Sequence, residues 1–106
     1  KGLYIFGEDP VVTDADTNHI IKALESLDFL VMSELFMTET AQYADVILPG
    51  VSYAEKEGTF SNTERRVQRV RKAVQLEGEM RLDTDIFIDL LNRMGYPQPH
   101  LTSWQK

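Results

Sequence analysis

The stretch TETAQYADVILPGVSYAEKEGTFSNTERRVQRV, residues 38–70, is the most informative part of the chain. It begins in a polar turn that favours a short helix, starting at Thr38 or Thr40 and running through Tyr43. The apolar run Val46–Leu48 then predicts a strand that stops at Pro49. A charged loop and a run of Asn, Thr, Glu and Arg follow. Because open α/β sheets bind ligands where strands end in such loops, the stretch predicts a ligand-binding edge.

Strand and helix patterns precede this stretch. The continuous apolar runs Leu3–Phe6 and Phe29–Met32 are typical of parallel strands buried on both faces. Between them, apolar residues at helical spacing predict an amphipathic helix over residues 15–27, with Thr13 as its N-cap and Asp16 in its first turn. Strand, helix and strand in this order form a βαβ unit, and the strand that stops at Pro49 adds a third parallel strand.

The chain beyond this edge predicts less regular structure and then one more helix. Gly58–Phe60 and Arg66–Val70 are candidate short strands. A last helix is predicted over Thr84–Met94, capped by Asp83, with Gly95 as the left-handed residue that follows its end.

These elements predict an α/β fold, a partial doubly wound (Rossmann-like) three-layer αβα domain with a mainly parallel sheet. Three parallel strands make half of such a sheet, and the chain begins with Lys1 rather than Met. We therefore expect a piece of a larger polypeptide. Residues 1–96 are assigned to the αβα domain, and residues 97–106 to a polar C-terminal tail or linker.

Composition excludes several classes of protein. The 106 residues include 17 acids and 11 bases, for a formal net charge of −6, and no cysteine. The charge argues against bulk attraction to nucleic acid or anionic lipid, though not against a local basic site. Without cysteine the chain has no disulfides and no cysteine ligands for iron–sulfur clusters, and this fits a reducing compartment, so a cytoplasmic location is expected. No apolar run approaches the roughly 20 residues of a membrane span.

Common catalytic motifs do not occur. The chain has no G-x-G-x-x-G, Walker loop, H-E-x-x-H or G-x-S-x-G. His19 lies beside an apolar helix stripe, where packing at the core boundary is favoured over ligand binding, and His100 lies in the tail. No nucleophile, base and orienting residue can be combined from this chain.

Polar residues follow the predicted strands, at Gly7–Asp9, Ser33–Glu34 and Thr38–Thr40. In a parallel sheet these ends meet at one edge. Ionised Asp and Glu can only accept hydrogen bonds, so they suit ribose hydroxyls or the amino group of a purine. The residues alone leave open the alternative that these acids cap helices and keep loops soluble.

Lys56 lies between Glu55 and Glu57. It is either a solvated surface charge or a point charge for a phosphate or an aromatic ring system. A basic segment follows at residues 64–72, and its bases are Arg65, Arg66, Arg69, Arg71 and Lys72. With Phe60 as the nearby aromatic and an acidic chain overall, this segment favours a phosphate-rich cofactor or a salt-bridged domain contact over RNA or DNA.

Four linked motifs resemble the molybdopterin oxidoreductase family: Gly7–Pro10, Thr38–Pro49, Glu55–Phe60 and Asn62–Gln68. Their order and spacing match the family over residues 3–95. Within it the chain is most similar to the formate dehydrogenase alpha (catalytic) subunit, and the basic segment and the last helix support that branch. Assimilatory and periplasmic nitrate reductases and the large iron–sulfur subunit of respiratory complex I share much of the pattern.

The resemblance implies a part of the αβα domain that binds bis-(molybdopterin guanine dinucleotide) with molybdenum or tungsten. The loop after the first strand is implied to approach the dinucleotide, and Ser33 and Glu34 to lie at its guanosine end, where relatives often carry Asp in place of Glu34. Lys56 matches a cofactor-contacting lysine, and Asp83 an acid that reaches the guanine. The implied cofactor-binding residues are Gly7, Glu8, Asp9, Ser33, Glu34, Lys56 and Asp83.

The resemblance also implies a parent enzyme that oxidises formate to carbon dioxide and passes two electrons to iron–sulfur centres. The metal ligand (Cys or selenocysteine), its neighbouring His and the active-site Arg of the family have no counterpart here, so we expect no catalytic and no metal-binding residue in the chain. The expected partners are the remainder of the parent chain and electron-transfer subunits.

An open sheet edge predicts some tendency to form a homodimer. Three alternatives remain at this stage: a module of a nitrate reductase type of enzyme, a non-catalytic scaffold of the complex I type, and a self-standing nucleotide-binding protein.

Overall fold

The computed structural model describes residues 1–75 and 78–97. The chain divides into two units after Gly50. The N-terminal unit, Lys1–Gly50, holds a three-stranded parallel sheet, and the C-terminal unit, from Val51 onward, holds a two-stranded antiparallel sheet and a helix. The mixture of helices with a parallel sheet confirms the predicted α/β class.

The parallel sheet consists of β1 (Gly2–Phe6), β2 (Phe29–Glu34) and β3 (Val46–Pro49), in the order β1-β2-β3. All three are predicted by their apolar runs. In register, Met32 at the centre of β2 lies beside Ile5 and Ile47. Strand order follows chain order, so no reversal of a doubly wound sheet occurs among the described strands.

One face of β2 carries the core of the N-terminal unit. Leu30 and Met32 are two residues apart and therefore point to the same face. They are 1% and 0% exposed. The cluster that they form also contains Val11, Leu24 and Ala41. Burial of a side chain of this size stabilises the fold by about 1.5–3 kcal/mol, so this face anchors the unit.

The helix that crosses from β1 to β2 is α2, Thr17–Glu25, and it is shorter than the predicted span of residues 15–27. Asp16, not Thr13, is its N-cap. The Asp16 carboxylate accepts the backbone N–H of His19 at 3.0 Å, which satisfies one of the free donors at the helix start. The predicted cap at Thr13 is wrong.

Thr13 instead ends a separate one-turn helix, α1 (Pro10–Thr13), which the sequence patterns do not reveal. Proline suits the first helical position because its ring fixes φ and its missing N–H is not needed there. The Thr13 hydroxyl donates to the Asp9 carbonyl at 3.0 Å. Asp14 then takes an extended conformation, with φ −82° and ψ 147°, which separates α1 from α2.

A 3₁₀ helix, Thr40–Tyr43, links β2 to β3, in agreement with the short helix predicted there. Asp45, just before β3, ties the two strands together. Its carboxylate accepts the N–H of Leu30 at 2.7 Å, and its own N–H donates to the Leu30 carbonyl at 2.9 Å.

The antiparallel sheet of the C-terminal unit is a hairpin of β4 (Gly58–Ser61) and β5 (Val67–Val70), close to the candidate strands of the sequence. The Asn62 side chain accepts two backbone N–H groups of the turn, at 3.0 and 3.1 Å. Arg65 has a φ of 61°, a left-handed conformation that is uncommon for residues other than glycine.

The last helix, α3, spans Asp83–Arg93, and the prediction that Asp83 is its N-cap is wrong. Leu82 occupies the cap position without a side-chain cap bond, and Asp83 lies in the first turn. The Asp83 carboxylate binds the Lys56 ammonium instead. A carboxylate in the first turn is still favourable because it faces the positive end of the helix dipole.

The end of α3 confirms the predicted left-handed glycine. Gly95 has a φ of 85°. Its N–H donates to the Asn92 carbonyl at 3.2 Å, and the Tyr96 N–H donates to the Leu91 carbonyl at 2.9 Å. These two bonds are those of a Schellman motif, which closes the helix at this residue.

The predicted tail, residues 97–106, lies outside the described residues except for Pro97, and the division at residue 96 stays a prediction. Among the helices that the structure describes, none has the length and apolarity that a membrane crossing requires.

Candidate functional site

The loop after β1 meets the end of β2. The Gly7 N–H donates to the Ser33 carbonyl at 2.9 Å. Gly7 has a φ of 58°, which glycine adopts without steric cost. Apart from Gly7 itself and its two chain neighbours, no described residue has an atom within 4 Å of the position that a Cβ would take there, and the next residue, Glu8, is exposed. The structure therefore brings two predicted segments together and leaves the backbone of the first open to a ligand.

Asp9 is held by the segment that follows β2. Its Oδ1 accepts the N–H of Thr40 at 3.0 Å and the Thr40 hydroxyl at 2.5 Å. Thr40 is 0% exposed. The sequence marks Thr40 only as a possible helix start, because spacing along the chain does not reveal a partner 31 residues away.

Ser33 and Glu34, at the end of β2, differ in exposure. Ser33 is 2% exposed, and its hydroxyl lies 2.5 Å from the Tyr4 hydroxyl. Glu34 is half-buried, and its Oε1 accepts the N–H of Leu35 at 2.7 Å. Its carbonyl accepts the N–H of Gly50 at 3.0 Å, which places the end of β3 next to it. Of these two predicted contacts, Glu34 is the more accessible.

Three apolar side chains are exposed directly after Glu34. Leu35, Phe36 and Met37 are 47%, 76% and 74% exposed. The residues form the turn from β2 towards the 3₁₀ helix, with the Thr38 N–H donating to the Phe36 carbonyl at 3.0 Å. The sequence signal was the apolar run Leu-Phe-Met after a predicted strand end, and sequence reasoning did not single it out.

Lys56 and Asp83, the two predicted contacts in the C-terminal unit, bind each other. Lys56 Nζ lies 2.8 Å from Asp83 Oδ2, and the two side chains are 33% and 18% exposed. The pair joins the loop before β4 to the first turn of α3, which lies 27 residues further along the chain. The sequence predicts a role for each residue but not their pairing.

The acids on either side of Lys56 are engaged elsewhere. Glu55 Oε2 accepts the backbone N–H of Ser52 at 2.8 Å. Hydrogen bonds to Ser52, chiefly that backbone bond, lower the pKa of the Glu55 carboxyl. Glu57 binds Arg69 at 2.9 Å. Asp83 is therefore the partner that remains for Lys56.

The other charges of the C-terminal unit form exposed contacts. On α3, Asp89 binds Arg93 at 3.1 Å and Arg81 at 3.3 Å, and these bonds, first that of Arg93, lower the pKa of the Asp89 carboxyl. Arg65 and Arg66 are exposed at the hairpin turn. Within residues 1–75 and 78–97, no group of three or more His, Asp or Glu residues is arranged to hold a metal ion.

The family model of the molybdopterin oxidoreductases matches residues 1–93. Over 96 residues the chain is 56% identical to the F420-dependent formate dehydrogenase subunit alpha of Methanocaldococcus jannaschii. The match covers 91% of this chain and 14% of that protein. It is 57% identical over 95 residues to the F420-dependent formate dehydrogenase 2 subunit alpha of Methanococcus maripaludis, covering 90% and 14%. It is 46% identical to a putative formate dehydrogenase of Bacillus subtilis, and this match covers 90% of this chain and 10% of that protein. The chain thus spans a small part of the length of these relatives.

Among solved structures, acetylene hydratase from Pelobacter acetylenicus resembles the chain with a TM-score of 0.82 and 28% sequence identity. The similarity covers 91% of this chain and 14% of that enzyme. The match over residues 1–93, together with relatives above 50% identity, shows that the chain belongs to the molybdopterin oxidoreductase family.

Proposed function

We propose that this chain is the part of a formate dehydrogenase alpha subunit that holds a molybdopterin guanine dinucleotide. The observation that carries the proposal is the 56% identity to a protein named as such a subunit. The acetylene hydratase structure shares the fold at 28% identity, so fold alone does not specify the reaction. The parent oxidises formate to carbon dioxide with release of one proton and two electrons, and the contribution of this chain is to position the cofactor.

In the N-terminal unit, the candidate residues fit the nucleoside end of the dinucleotide. Glu8, Asp9 and Glu34 present carboxylates, which accept hydrogen bonds, and guanine N–H groups and ribose hydroxyls donate them. An anionic pyrophosphate would be repelled by the same acids. The open backbone at Gly7 lets a flat base or a sugar approach closely. Ser33, being buried, is proposed to act mainly through its carbonyl bond to Gly7.

In the C-terminal unit, the ion pair of Lys56 and Asp83 can bind both a hydrogen-bond donor and an anionic acceptor of the cofactor. Asp83 uses Oδ2 for the lysine, and no described residue gives its Oδ1 a hydrogen bond. That oxygen is available to a guanine N–H. The Lys56 ammonium has three donors, of which Asp83 takes one, so the others can bind a phosphate oxygen. The pair therefore fits both the base and the phosphates of a dinucleotide.

The bound cofactor would supply the metal, molybdenum or tungsten, through which the two electrons pass. This chain has no cysteine to bind that metal or an iron–sulfur cluster. The metal ligand, the clusters and the contacts with electron-transfer subunits are therefore proposed to lie in the remainder of the parent chain. A cytoplasmic location and pairing of two copies along an open sheet edge belong to the same proposal.

The purified full-length parent tests this function. We expect it to contain molybdenum or tungsten, measured by elemental analysis, and guanosine monophosphate released by acid. We also expect it to oxidise formate with an artificial electron acceptor. The control is an assay of nitrate reduction with a reduced dye. A parent that reduces nitrate without oxidising formate, or that carries no guanine nucleotide, would contradict the proposal.

A further inference from the structure

We infer that Thr40 is the positioning residue of the nucleoside site, because its buried side chain fixes the Gly7–Asp9 loop against the segment that follows β2. The inference rests on the proposed function for its ligand, a guanine nucleoside, and on the geometry around Thr40 for its mechanism.

The Thr40 hydroxyl joins three parts of the chain. It donates to Asp9 Oδ1 at 2.5 Å and accepts the N–H of Val11 at 3.1 Å. The Thr40 N–H donates to the same Asp9 oxygen at 3.0 Å. The side chain is 0% exposed, so water does not compete for these bonds. The loop after β1, the start of α1 and the start of the 3₁₀ helix thus meet at one hydroxyl.

Each of these bonds satisfies a group that would otherwise be costly to bury. The N–H of Val11 lies in the first turn of α1, and that of Thr40 in the first turn of the 3₁₀ helix, where a helix offers no partner of its own. The Asp9 carboxylate takes both donors of Thr40 on one oxygen, and hydrogen bonds to a charged acceptor are among the stronger ones. Because all groups are satisfied together, a shift of the loop would break several bonds at once.

The arrangement also decides which part of Asp9 faces a ligand. Oδ1 is occupied by Thr40, and none of the described residues gives Oδ2 a hydrogen bond. Oδ2 is therefore the oxygen available to a ribose hydroxyl or a guanine N–H. Thr40 acts on the nucleoside through Asp9, so its effect is on how firmly the dinucleotide is held.

The test uses the full-length parent and three variants. Thr40→Val keeps the shape of the side chain but removes the hydroxyl, and Thr40→Ser restores the hydroxyl. The matched control is Thr38→Val in the same turn, because the Thr38 hydroxyl accepts the N–H of Ala41 at 3.3 Å and has no bond to Asp9. The readout is the rate at which the intact cofactor leaves the protein on dilution, measured as the acid-releasable guanosine monophosphate and the metal that remain per polypeptide, together with the thermal midpoint.

We expect Thr40→Val to lose the nucleotide about tenfold faster than the wild type, the size expected for loss of a hydrogen bond to a charged group. Thr40→Ser should retain it, and Thr38→Val should retain it even if its thermal midpoint falls. Retention by Thr40→Val equal to the wild type, or equally fast loss from both valine variants, would overturn the inference.

Thr40→Cys, with a weaker donor of similar size, replaces the valine variant if that protein does not accumulate. It is expected to lose the nucleotide faster than the serine variant, and equal rates would overturn the inference. A wild-type parent without any guanine nucleotide would overturn the proposed function, and this inference with it. A wild-type parent that carries the nucleotide, with no effect of position 40, would overturn only the inference.

Discussion

The two units of the chain hold their candidate binding groups in different ways. In the N-terminal unit, Asp9 is bound by a fully buried threonine and packs near a core built on β2. In the C-terminal unit, Asp83 is held by one lysine at the end of a flexible side chain, and both partners are partly exposed. The Asp9 carboxylate accepts two hydrogen bonds, and the Asp83 carboxylate accepts one.

This difference leads to different expectations for the two proposed cofactor contacts. A carboxylate that is already fixed loses little freedom when a ligand arrives, which favours affinity. The Lys56–Asp83 pair is partly exposed, and the lysine lies on a flexible side chain whose ammonium can turn to another partner. We therefore expect Asp9 to be a preformed contact and the Lys56–Asp83 pair to rearrange when a ligand binds to it.

The largest change in stability is expected from a substitution in the core of the N-terminal unit. Met32→Ala removes a side chain that is 0% exposed, and such truncations cost about 2–5 kcal/mol. The measure is hydrogen exchange of the β1 and β2 amides in the full-length parent. Met37→Ala is the matched control, because Met37 is 74% exposed and its loss is expected to cost less than about 0.5 kcal/mol. If the β1 and β2 amides were equally protected from hydrogen exchange in both variants, the core around Met32 would not be what makes the sheet rigid.

A smaller effect, of opposite sign, is expected in the hairpin. Arg65 has a φ of 61°, which costs a residue with a side chain about 1–2 kcal/mol, and glycine avoids this cost. After the entropic penalty of glycine, about 0.5–1 kcal/mol, Arg65→Gly should stabilise the hairpin by about 0–1.5 kcal/mol.

The neighbouring Arg66→Gly is the control, since Arg66 is not among the residues with positive φ. It should destabilise the hairpin by about 0.5–1 kcal/mol. Exchange of the β4 and β5 amides measures both variants, and a loss of protection in Arg65→Gly would show that the arginine side chain itself supports the turn.

Much of the fold follows from local patterns in the sequence. The strands at Leu3–Phe6, Phe29–Met32 and Val46–Leu48 are continuous apolar runs bounded by glycine, polar or proline residues, and each forms a parallel strand. Gly95 is predicted from its place after the last helix, and its left-handed conformation agrees. Such features depend on neighbours in the sequence, which a single sequence contains.

The two wrong N-cap predictions, at Thr13 and Asp83, arise where polar side chains and backbone groups can pair in more than one way. Thr13 and Asp16 both suit an N-cap, and Pro10 decides between them by starting a separate turn that uses the Thr13 hydroxyl. Asp83 likewise binds Lys56 rather than the end of its own helix. Residue preference alone does not resolve such competition.

The sequence predicts which residues belong to the candidate site, but it does not predict which of them contact one another. The family resemblance implies roles for Asp9, Lys56 and Asp83, yet the contact of Thr40 with Asp9 joins residues 31 positions apart and appears only in the folded chain. The pairing of Lys56 with Asp83 bridges a separation of 27 residues. Long-range contacts of this kind are set by the packing of the sheet and helices, and spacing along one sequence does not contain them.

The central claim, that this chain holds a guanine dinucleotide, is tested most directly by the nucleotide content of matched variants of the parent. Asp83→Ala and Asp89→Ala each remove a carboxylate of α3 that forms a salt bridge with a lysine or arginine side chain. Of the two, only Asp83 is a candidate contact with the cofactor. The measurement is guanosine monophosphate and molybdenum or tungsten per polypeptide. We expect a clear loss of both in Asp83→Ala and in Lys56→Ala, with wild-type content in Asp89→Ala. Full nucleotide and metal content in both Asp83→Ala and Lys56→Ala would contradict it.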